Sequence, residues 1–153
     1  CKNIEGSELN IYGDGPDYAA LDSKIKQYSL HKTIHMYPAT TNIQSVYLNS
    51  SIFCFPSRYE GFSMALMEAM SYGLPAIAFK CPCGPSEIIE NGINGILVEN
   101  KNINDFAYEL QKLMKDEKLR EEYGIRAAME TKYKFNIDHI MKQWVSLFND
   151  LKS

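Results

Sequence analysis

Short apolar runs alternate with longer amphipathic segments over about the first hundred residues, and this pattern restricts the fold more than any other feature of the sequence. Strands and helices that alternate in this way predict an α/β fold, with a Rossmann-like parallel sheet and helices on both faces. The runs with the pattern of strands are Leu9–Tyr12, Ile34–Met36, Ile52–Phe55, Ala76–Phe79 and Ile96–Val98. The segments with the pattern of helices are Pro16–Tyr28, Ile43–Leu48, Ser63–Tyr72 and Ser86–Glu90.

The rest of the chain is predicted to be helical. Apolar side chains recur there at helical spacing in two places, and we interpret both stripes as faces that pack on the protein. The stripes consist of Phe106, Leu110, Leu113 and Met114, and of Ile137, Ile140, Met141, Trp144, Phe148 and Leu151.

Size and charge limit the class of protein. A chain of 153 residues is expected to form one domain with a core of its own. Its 16 basic and 19 acidic side chains are intermixed and leave a net charge of −3. Because no sustained positive field results, we expect no nucleic-acid partner, and an anionic ligand must be bound locally.

The cysteines do not form a metal or disulfide pattern. Cys54 lies in an apolar run and is interpreted as a buried thiol, whereas Cys81 and Cys83 flank a proline in what we take for a rigid turn. No apolar stretch approaches the roughly 20 residues of a membrane span, and no signal peptide is evident. These features favour the cytoplasm. We assign no catalytic role to the scattered His31, His35 and His139.

The loop after the Ile52–Phe55 strand is the candidate site, because ligands of an open parallel sheet bind at the carboxyl ends of its strands. Gly61 lets the backbone approach a ligand. The helix that follows is expected to offer unpaired N–H groups at residues 62–65 and the positive end of its dipole, which suits a phosphate. Arg58 can add a positive charge there, or it can be solvated or paired with Glu60.

Two carboxylates flank the start of this helix. Glu60 precedes it, and Glu68 lies inside it within an apolar stretch. A carboxylate accepts hydrogen bonds from two hydroxyl groups at once, as a ribose diol or a sugar requires. Buried carboxylates are rare unless paired, so Glu68 alternatively caps the N–H groups of a neighbouring loop or pairs with a lysine.

This region closely resembles the Glu-x₇-Glu segment of the family 4 (group 1) glycosyltransferases, which have the GT-B architecture of two Rossmann-like domains. Four blocks occur in the family's order over about 90 residues. They are the turn Ile11-Tyr12-Gly13-Asp14-Gly15-Pro16, the segment from Pro56 to Ile77, the block Gly84-Pro85-Ser86-Glu87-Ile88-Ile89, and the block Asn91-Gly92-Ile93-Asn94-Gly95-Ile96-Leu97-Val98.

The resemblance implies roles for the candidate residues. It makes Glu60 the catalytic candidate, in contact with hydroxyls of the donor sugar, and gives the ribose to Glu68. It also implies that backbone amides bind the sugar and the diphosphate, and that Tyr37 lies beside the base. Tyr37 is equally suited to cover the core. The amides belong to Gly61, Phe62 and Ser63.

By the same resemblance, the chain is the C-terminal half of a GT-B fold with its first βα unit truncated, from a bacterial enzyme of surface-polysaccharide synthesis. Such enzymes retain the anomeric configuration and use no metal or other cofactor. As the donor, the resemblance favours a UDP-sugar over a GDP-sugar. A missing N-terminal domain would bind a glycan or lipid-linked acceptor and allow peripheral contact with the inner face of a membrane, and the fragment alone would be inactive.

Other interpretations remain open at the level of sequence. The block at Gly84 can simply start a helix, with Ser86 as its N-cap. A sugar-nucleotide epimerase shares the two-domain architecture, although the catalytic histidine it needs is not evident. A non-catalytic α/β binding module would need an acidic cluster and a lysine at successive strand ends, and the chain offers only Asp14.

Overall fold

The computed structural model describes Ile4 and residues 6–151. These described residues form two compact units, which divide between Val46 and Tyr47. The expectation that the chain is one domain stays a prediction.

The first unit is a β-α-β element. Strand β1 (Leu9–Tyr12) and strand β2 (Ile34–Tyr37) pair in parallel, and helix α1 (Tyr18–Gln27) connects them. The helix begins after Asp17, slightly later than the proline suggested. Helix α2 (Ile43–Leu48) follows and ends within the second unit.

The second unit contains a three-stranded parallel sheet in the order β3-β4-β5. Its strands are β3 (Phe53–Phe55), β4 (Ala76–Lys80) and β5 (Gly95–Glu99). Helix α3 (Met64–Ser71) connects the first two strands, and the single turn of α4 (Pro85–Ile88) precedes the third. The positions of the strands and the parallel pairing agree with the sequence prediction.

Three helices complete the second unit: α5 (Ile103–Lys115), α6 (Glu117–Lys134) and α7 (Ile137–Asp150). Each starts at a side chain that accepts a hydrogen bond from a backbone N–H group of the first turn, which satisfies one of the donors left free at a helix start. These caps are Asn102, Asp116 and Asn136.

The core lies on both faces of the sheet, as the alternation of β4 shows. Ala76 and Ala78 point into a cluster with Leu66 and Met70 of α3, while Ile77 and Phe79 point into one with Leu113 of α5 and Ile96 and Val98 of β5. Side chains two apart on a strand share a face, so small residues face α3 and large ones face α5. The predicted α/β fold with helices on both faces is confirmed.

Two predictions about helices were wrong. Most of the stripe of α7 is not covered by the described part of the chain: Ile140 is half-buried, but Ile137, Met141, Trp144, Phe148 and Leu151 are exposed. Amphipathic spacing shows that a face is apolar but does not identify what covers it. In addition, α4 starts after Gly84 with Pro85 in its first turn, so Ser86 is not its cap. The α5 stripe does pack, with Leu113 buried.

Candidate functional site

Three loops meet at the carboxyl edge of the three-stranded sheet, where the site was predicted. The loop after β3 contacts the end of β5, since the side-chain amide of Asn100 donates a hydrogen bond to the carbonyl of Arg58 over 3.2 Å. Lys80 and Glu99, at the ends of β4 and β5, form an exposed ion pair of 3.7 Å. The candidate loop is therefore anchored to the neighbouring strand ends.

Gly84 brings the loop after β4 against the candidate residues. A Cβ atom added to Gly84 would lie 2.5 Å from the Ser63 hydroxyl oxygen and 3.4 Å from both Glu60 Cβ and the Gly61 carbonyl oxygen. Gly84 also has a φ of +82°, which favours glycine. This block thus does more than start a helix, because it forms one wall of the candidate site.

Ser63 has a buried hydroxyl group without a partner. Its side chain is 1% exposed, and its Oγ makes no hydrogen bond within the described residues. Ser63 occupies the N-cap position of α3 but does not cap it. Such orphaned hydroxyls are rare in proteins and mark a group that is strained or that meets a missing ligand.

The predicted free N–H groups at the start of α3 are largely present. In the part of the chain that the structure describes, the N–H groups of Phe62, Ser63 and Ala65 donate no hydrogen bond. The Met64 N–H differs from the prediction, since it donates to the Phe62 carbonyl over 2.9 Å. Three backbone donors and one hydroxyl therefore lie close together at this helix start.

Glu60 and Arg58 do not form the ion pair that the sequence left open. Among the described residues, neither takes part in a salt bridge, and the Arg58 side chain is exposed. Glu60 is half-buried and lies near Cys81. Burial raises the pKa of the Cys81 thiol, and the Glu60 carboxylate adds to that rise by opposing a second negative charge.

Glu68 is exposed, so the alternative of a buried carboxylate that is paired with a lysine does not hold among the described residues. Its neighbour is Tyr47, which is 5% exposed and packs against Phe53 and Tyr72 with ring centroids 6.1 Å and 5.6 Å away. Burial raises the pKa of the Tyr47 hydroxyl, and the Glu68 carboxylate raises it further through its charge and as a hydrogen-bond acceptor. Neither a lysine nor a loop N–H group takes that place among the described residues.

Sequence reasoning missed Tyr47. It lies near the end of a short helix far from Glu68 in the chain, and no periodicity distinguishes it from the apolar residues beside it. Gly84, by contrast, carried a signal, because a glycine directly before a proline at a helix start often has a special backbone conformation.

Tyr37, in the first unit, stacks on Tyr12 with 4.9 Å between ring centroids and an interplanar angle of 18°. It is 40% exposed, at the surface of the first unit. Beside it, the Asp14 carboxylate accepts a hydrogen bond from the Ala39 N–H group over 3.1 Å, which joins the loops that follow β1 and β2. Contact of Tyr37 with a base stays a prediction.

Two cavities lie elsewhere. One of about 270 Å³ belongs to the first unit and has Tyr37 in its wall, and one of about 470 Å³ lies where α6 meets α7. Neither of these two is lined by residues 56–68. No cluster of three or more potential metal ligands occurs in residues 4 and 6–151. Over the same residues, none of the helices has the length and apolar character needed to cross a bilayer.

A family model for "Glycosyl transferases group 1" matches residues 1–129. The chain belongs to the group 1 glycosyltransferases. The match covers the βα units, the candidate loop and most of α6, which agrees with the resemblance found in the four sequence blocks.

Individual group 1 relatives match nearly the whole chain but only part of their own length. The amylovoran biosynthesis glycosyltransferase AmsD of Erwinia amylovora is 36% identical over 150 residues, which are 97% of this chain and 42% of that protein. The poly(ribitol-phosphate) alpha-N-acetylglucosaminyltransferase of Staphylococcus aureus is 32% identical over 148 residues, which are 97% of this chain and 30% of that protein. The chain thus spans less than half of these proteins.

Solved structures of other proteins agree with the fold. The crystal structure of TarM superposes with a TM-score of 0.90 at 31% identity and covers 97% of this chain and 30% of that one. Anabaena HepE, solved in complex with UDP, superposes with a TM-score of 0.87 at 20% identity. The superposition covers 96% of this chain and 42% of the HepE chain. At that identity the HepE comparison shows the fold alone.

Proposed function

We propose that this chain forms the nucleotide-sugar site of a retaining glycosyltransferase, which moves a hexose or N-acetylhexosamine to a glycan or lipid-linked acceptor. The observation that carries the proposal is the buried, unpartnered Ser63 hydroxyl at the start of α3, in a loop walled by Gly84. A diphosphate oxygen at this place would accept hydrogen bonds from that hydroxyl and from the free N–H groups beside it.

The proposed chemistry follows from these donors. Transfer breaks the bond between the anomeric carbon and a diphosphate oxygen and forms a bond from that carbon to the oxygen of an acceptor hydroxyl, on the same face of the sugar. Negative charge grows on the departing diphosphate, which takes up the proton of the hydroxyl. Oriented donors stabilise that charge, and each is worth about 3 kcal/mol in comparable sites. Glu60 accepts hydrogen bonds from sugar hydroxyls and orients the donor without forming a covalent bond to it.

The proposed reaction uses no metal or other cofactor. The start of α3 supplies partial positive charge, and the exposed Arg58 lies on the same loop to add a full one. A chelator is therefore expected to leave nucleotide binding and sugar transfer unchanged. If the chelator abolishes binding or transfer and added Mg²⁺ or Mn²⁺ restores it, the reaction needs a metal and this part of the proposal is wrong.

The proposed nucleotide is UDP, with Glu68 on the ribose. Support for UDP comes from TarM, which is 31% identical to this chain and has a structure that contains UDP. The names of relatives point to bacterial surface polymers, amylovoran and poly(ribitol-phosphate), as the acceptor class. The proposal places transfer in the cytoplasm, at a membrane face that carries lipid-linked acceptors.

A calorimetric titration of UDP, GDP and their sugars into the protein tests the site. We expect UDP to bind more tightly than GDP and Glu68→Ala to weaken UDP binding by at least about tenfold, since a carboxylate that accepts two ribose hydroxyls is lost. Glu121→Ala is the matched control, because Glu121 is an exposed glutamate on α6. If no nucleotide binds, the proposed function is wrong. Equal affinity in the Glu68 variant would remove only the ribose role.

A further inference from the structure

A buried asparagine joins three parts of the second unit behind the candidate site. Asn94 is 1% exposed. Its side-chain oxygen accepts a hydrogen bond from the Glu90 N–H group over 2.8 Å, and its amide nitrogen donates to the Ile88 carbonyl over 3.3 Å and to the Glu130 carboxylate. Both donors of the amide and one of its two acceptor positions are used, so this group is held in one orientation.

The end of α6 adds two further contacts to the same region. The Lys134 ammonium donates a hydrogen bond to the Glu87 carbonyl of α4. Phe135, the next residue, packs edge to face on Phe62 of the candidate loop with 5.7 Å between ring centroids. The end of α6 thus contacts both α4, through a hydrogen bond, and the candidate loop, through the packing of two aromatic rings.

Helix α4 connects this network to the site. It is a single turn, closed by a hydrogen bond of 2.8 Å from the Ile89 N–H group to the Pro85 carbonyl. Gly84 stands directly before it, packed against Ser63 and Glu60. Because so short a segment moves as one piece, a shift at Ile88 displaces Gly84 and changes the space beside the Ser63 hydroxyl.

We propose that Asn94 and Glu130 are a positioning pair for the nucleotide-sugar site: they hold α4 so that Gly84 closes the loop around Ser63. This inference rests on the proposed function. The pair does not touch the ligand. Only the donors of the Asn94 amide join Ile88 to Glu130, and an aspartate at this position would place a carboxylate against two acceptors, one of them charged.

The test compares four variants. Asn94→Asp removes both donated bonds, Asn94→Asp/Glu130→Gln restores a donor opposite the new carboxylate, and Glu130→Ala removes only the connection to α6. Asn91→Asp is the matched control, because Asn91 lies in the same loop and its oxygen, which accepts from the Leu97 N–H group over 2.9 Å, is kept in aspartate. All are measured well below their unfolding temperatures.

Two measurements are made on each variant: the ¹⁵N–¹H resonances of Gly61, Ser63 and Gly84 in the free protein, and the affinity for UDP. We expect Asn94→Asp to shift these resonances and weaken UDP binding by at least about tenfold, because small displacements in a site have effects of this size or larger. The double variant recovers most of both, Glu130→Ala shows the same changes to a smaller degree, and Asn91→Asp shows neither.

Wild-type resonances and affinity in a folded Asn94→Asp variant would overturn the proposal, as would a loss of stability alone. If Asn94→Asp does not fold, Glu130→Ala decides by the same criteria. If the wild-type protein binds no UDP, the proposed function fails, while the resonances still show whether the pair positions Gly84 and Ser63.

Discussion

The backbone of Gly84 lies so close to the Ser63 hydroxyl that an added Cβ would stand 2.5 Å from its oxygen. The two residues belong to different loops, one before α4 and one before α3. Their contact joins two of the sequence blocks in which the chain resembles the family, and it explains why the block that begins at Gly84 needs a glycine there.

Gly84→Ala is expected to destabilise the protein more than Gly92→Ala. The φ angles are +82° at Gly84 and +78° at Gly92, so both variants carry similar backbone strain. A Cβ on Gly92, however, meets nothing within 4 Å. The difference is the overpacking against Ser63, about 1–3 kcal/mol. Urea denaturation of both variants measures it, and equal losses would mean that the Ser63 side chain moves aside at no cost.

Ser63→Ala is expected to stabilise the free protein by about 1 kcal/mol and to weaken UDP binding. The substitution removes a buried hydroxyl that has no partner, and Ser63 makes no capping hydrogen bond that would be lost. Ser71→Ala at the other end of α3, where the serine is exposed, should change neither quantity appreciably. Thermal unfolding and calorimetry give the two values. A less stable Ser63 variant would show that the hydroxyl has a partner.

Tyr47→Phe is expected to weaken UDP binding about fivefold, which corresponds to the ~1 kcal/mol of one hydrogen bond. The ring packing on Phe53 and Tyr72 is kept, but the hydroxyl that interacts with the Glu68 carboxylate is lost. Tyr72→Phe is the control, since that tyrosine lies beside the same ring and is more exposed. If both variants bind UDP equally well, Tyr47 does not orient Glu68.

Gly124→Ala is expected to destabilise the protein by about 2 kcal/mol or more, although alanine has a higher helix propensity than glycine. Gly124 lies in α6, and an added Cβ would collide with the Gly73 carbonyl oxygen and touch Pro75. Backbone cannot rotate away as a side chain can. Ala128→Gly, on the same helix, should cost only about 1 kcal/mol through propensity. A stabilised Gly124 variant in guanidinium denaturation would refute the close packing of α3 on α6.

The stability of the protein is expected to fall between pH 9 and pH 11, partly through Cys54. Burial raises the pKa of this thiol from 9.0 to about 11 in the folded state. Above pH 9 the unfolded chain therefore binds fewer protons than the folded one, so the free energy of unfolding decreases with pH until about 11. Cys54→Ala should flatten this decrease, and Cys83→Ala, at an exposed cysteine, should not. Parallel pH profiles for both variants would contradict the burial effect.

Local patterns predicted the strands well, because their apolar runs are also the interior of the sheet. Ala76, Ile77, Ala78 and Phe79 are all buried in β4, as a continuous apolar run in a parallel sheet requires. The same patterns failed for α7, whose stripe is as regular as that of α5. Periodicity measures the apolar face of one helix, whereas burial depends on a second surface that the pattern does not contain.

The candidate site divides in the same way. Its location followed from the sequence, since Gly61 and the start of α3 come directly after a strand and parallel strands bring such loops to one edge. Tyr47 and Glu130 entered the site or its support only through contacts with residues distant in the chain. Gly84 carried a local signal, but its place against Ser63 depends on such a contact as well. Residue types at short spacing indicate the local helix, strand or turn, and they do not indicate which distant residue will pack against it.

The sequence by itself determined the α/β order, the family and the loop that bears the candidate site, because these depend on residue types at short spacing. Only the tertiary structure decided that Glu68 is exposed beside Tyr47 and that the Ser63 hydroxyl is buried without a partner against Gly84. Burial and hydrogen-bond partners arise when separate segments pack together, so they are properties of the folded molecule and of no single segment.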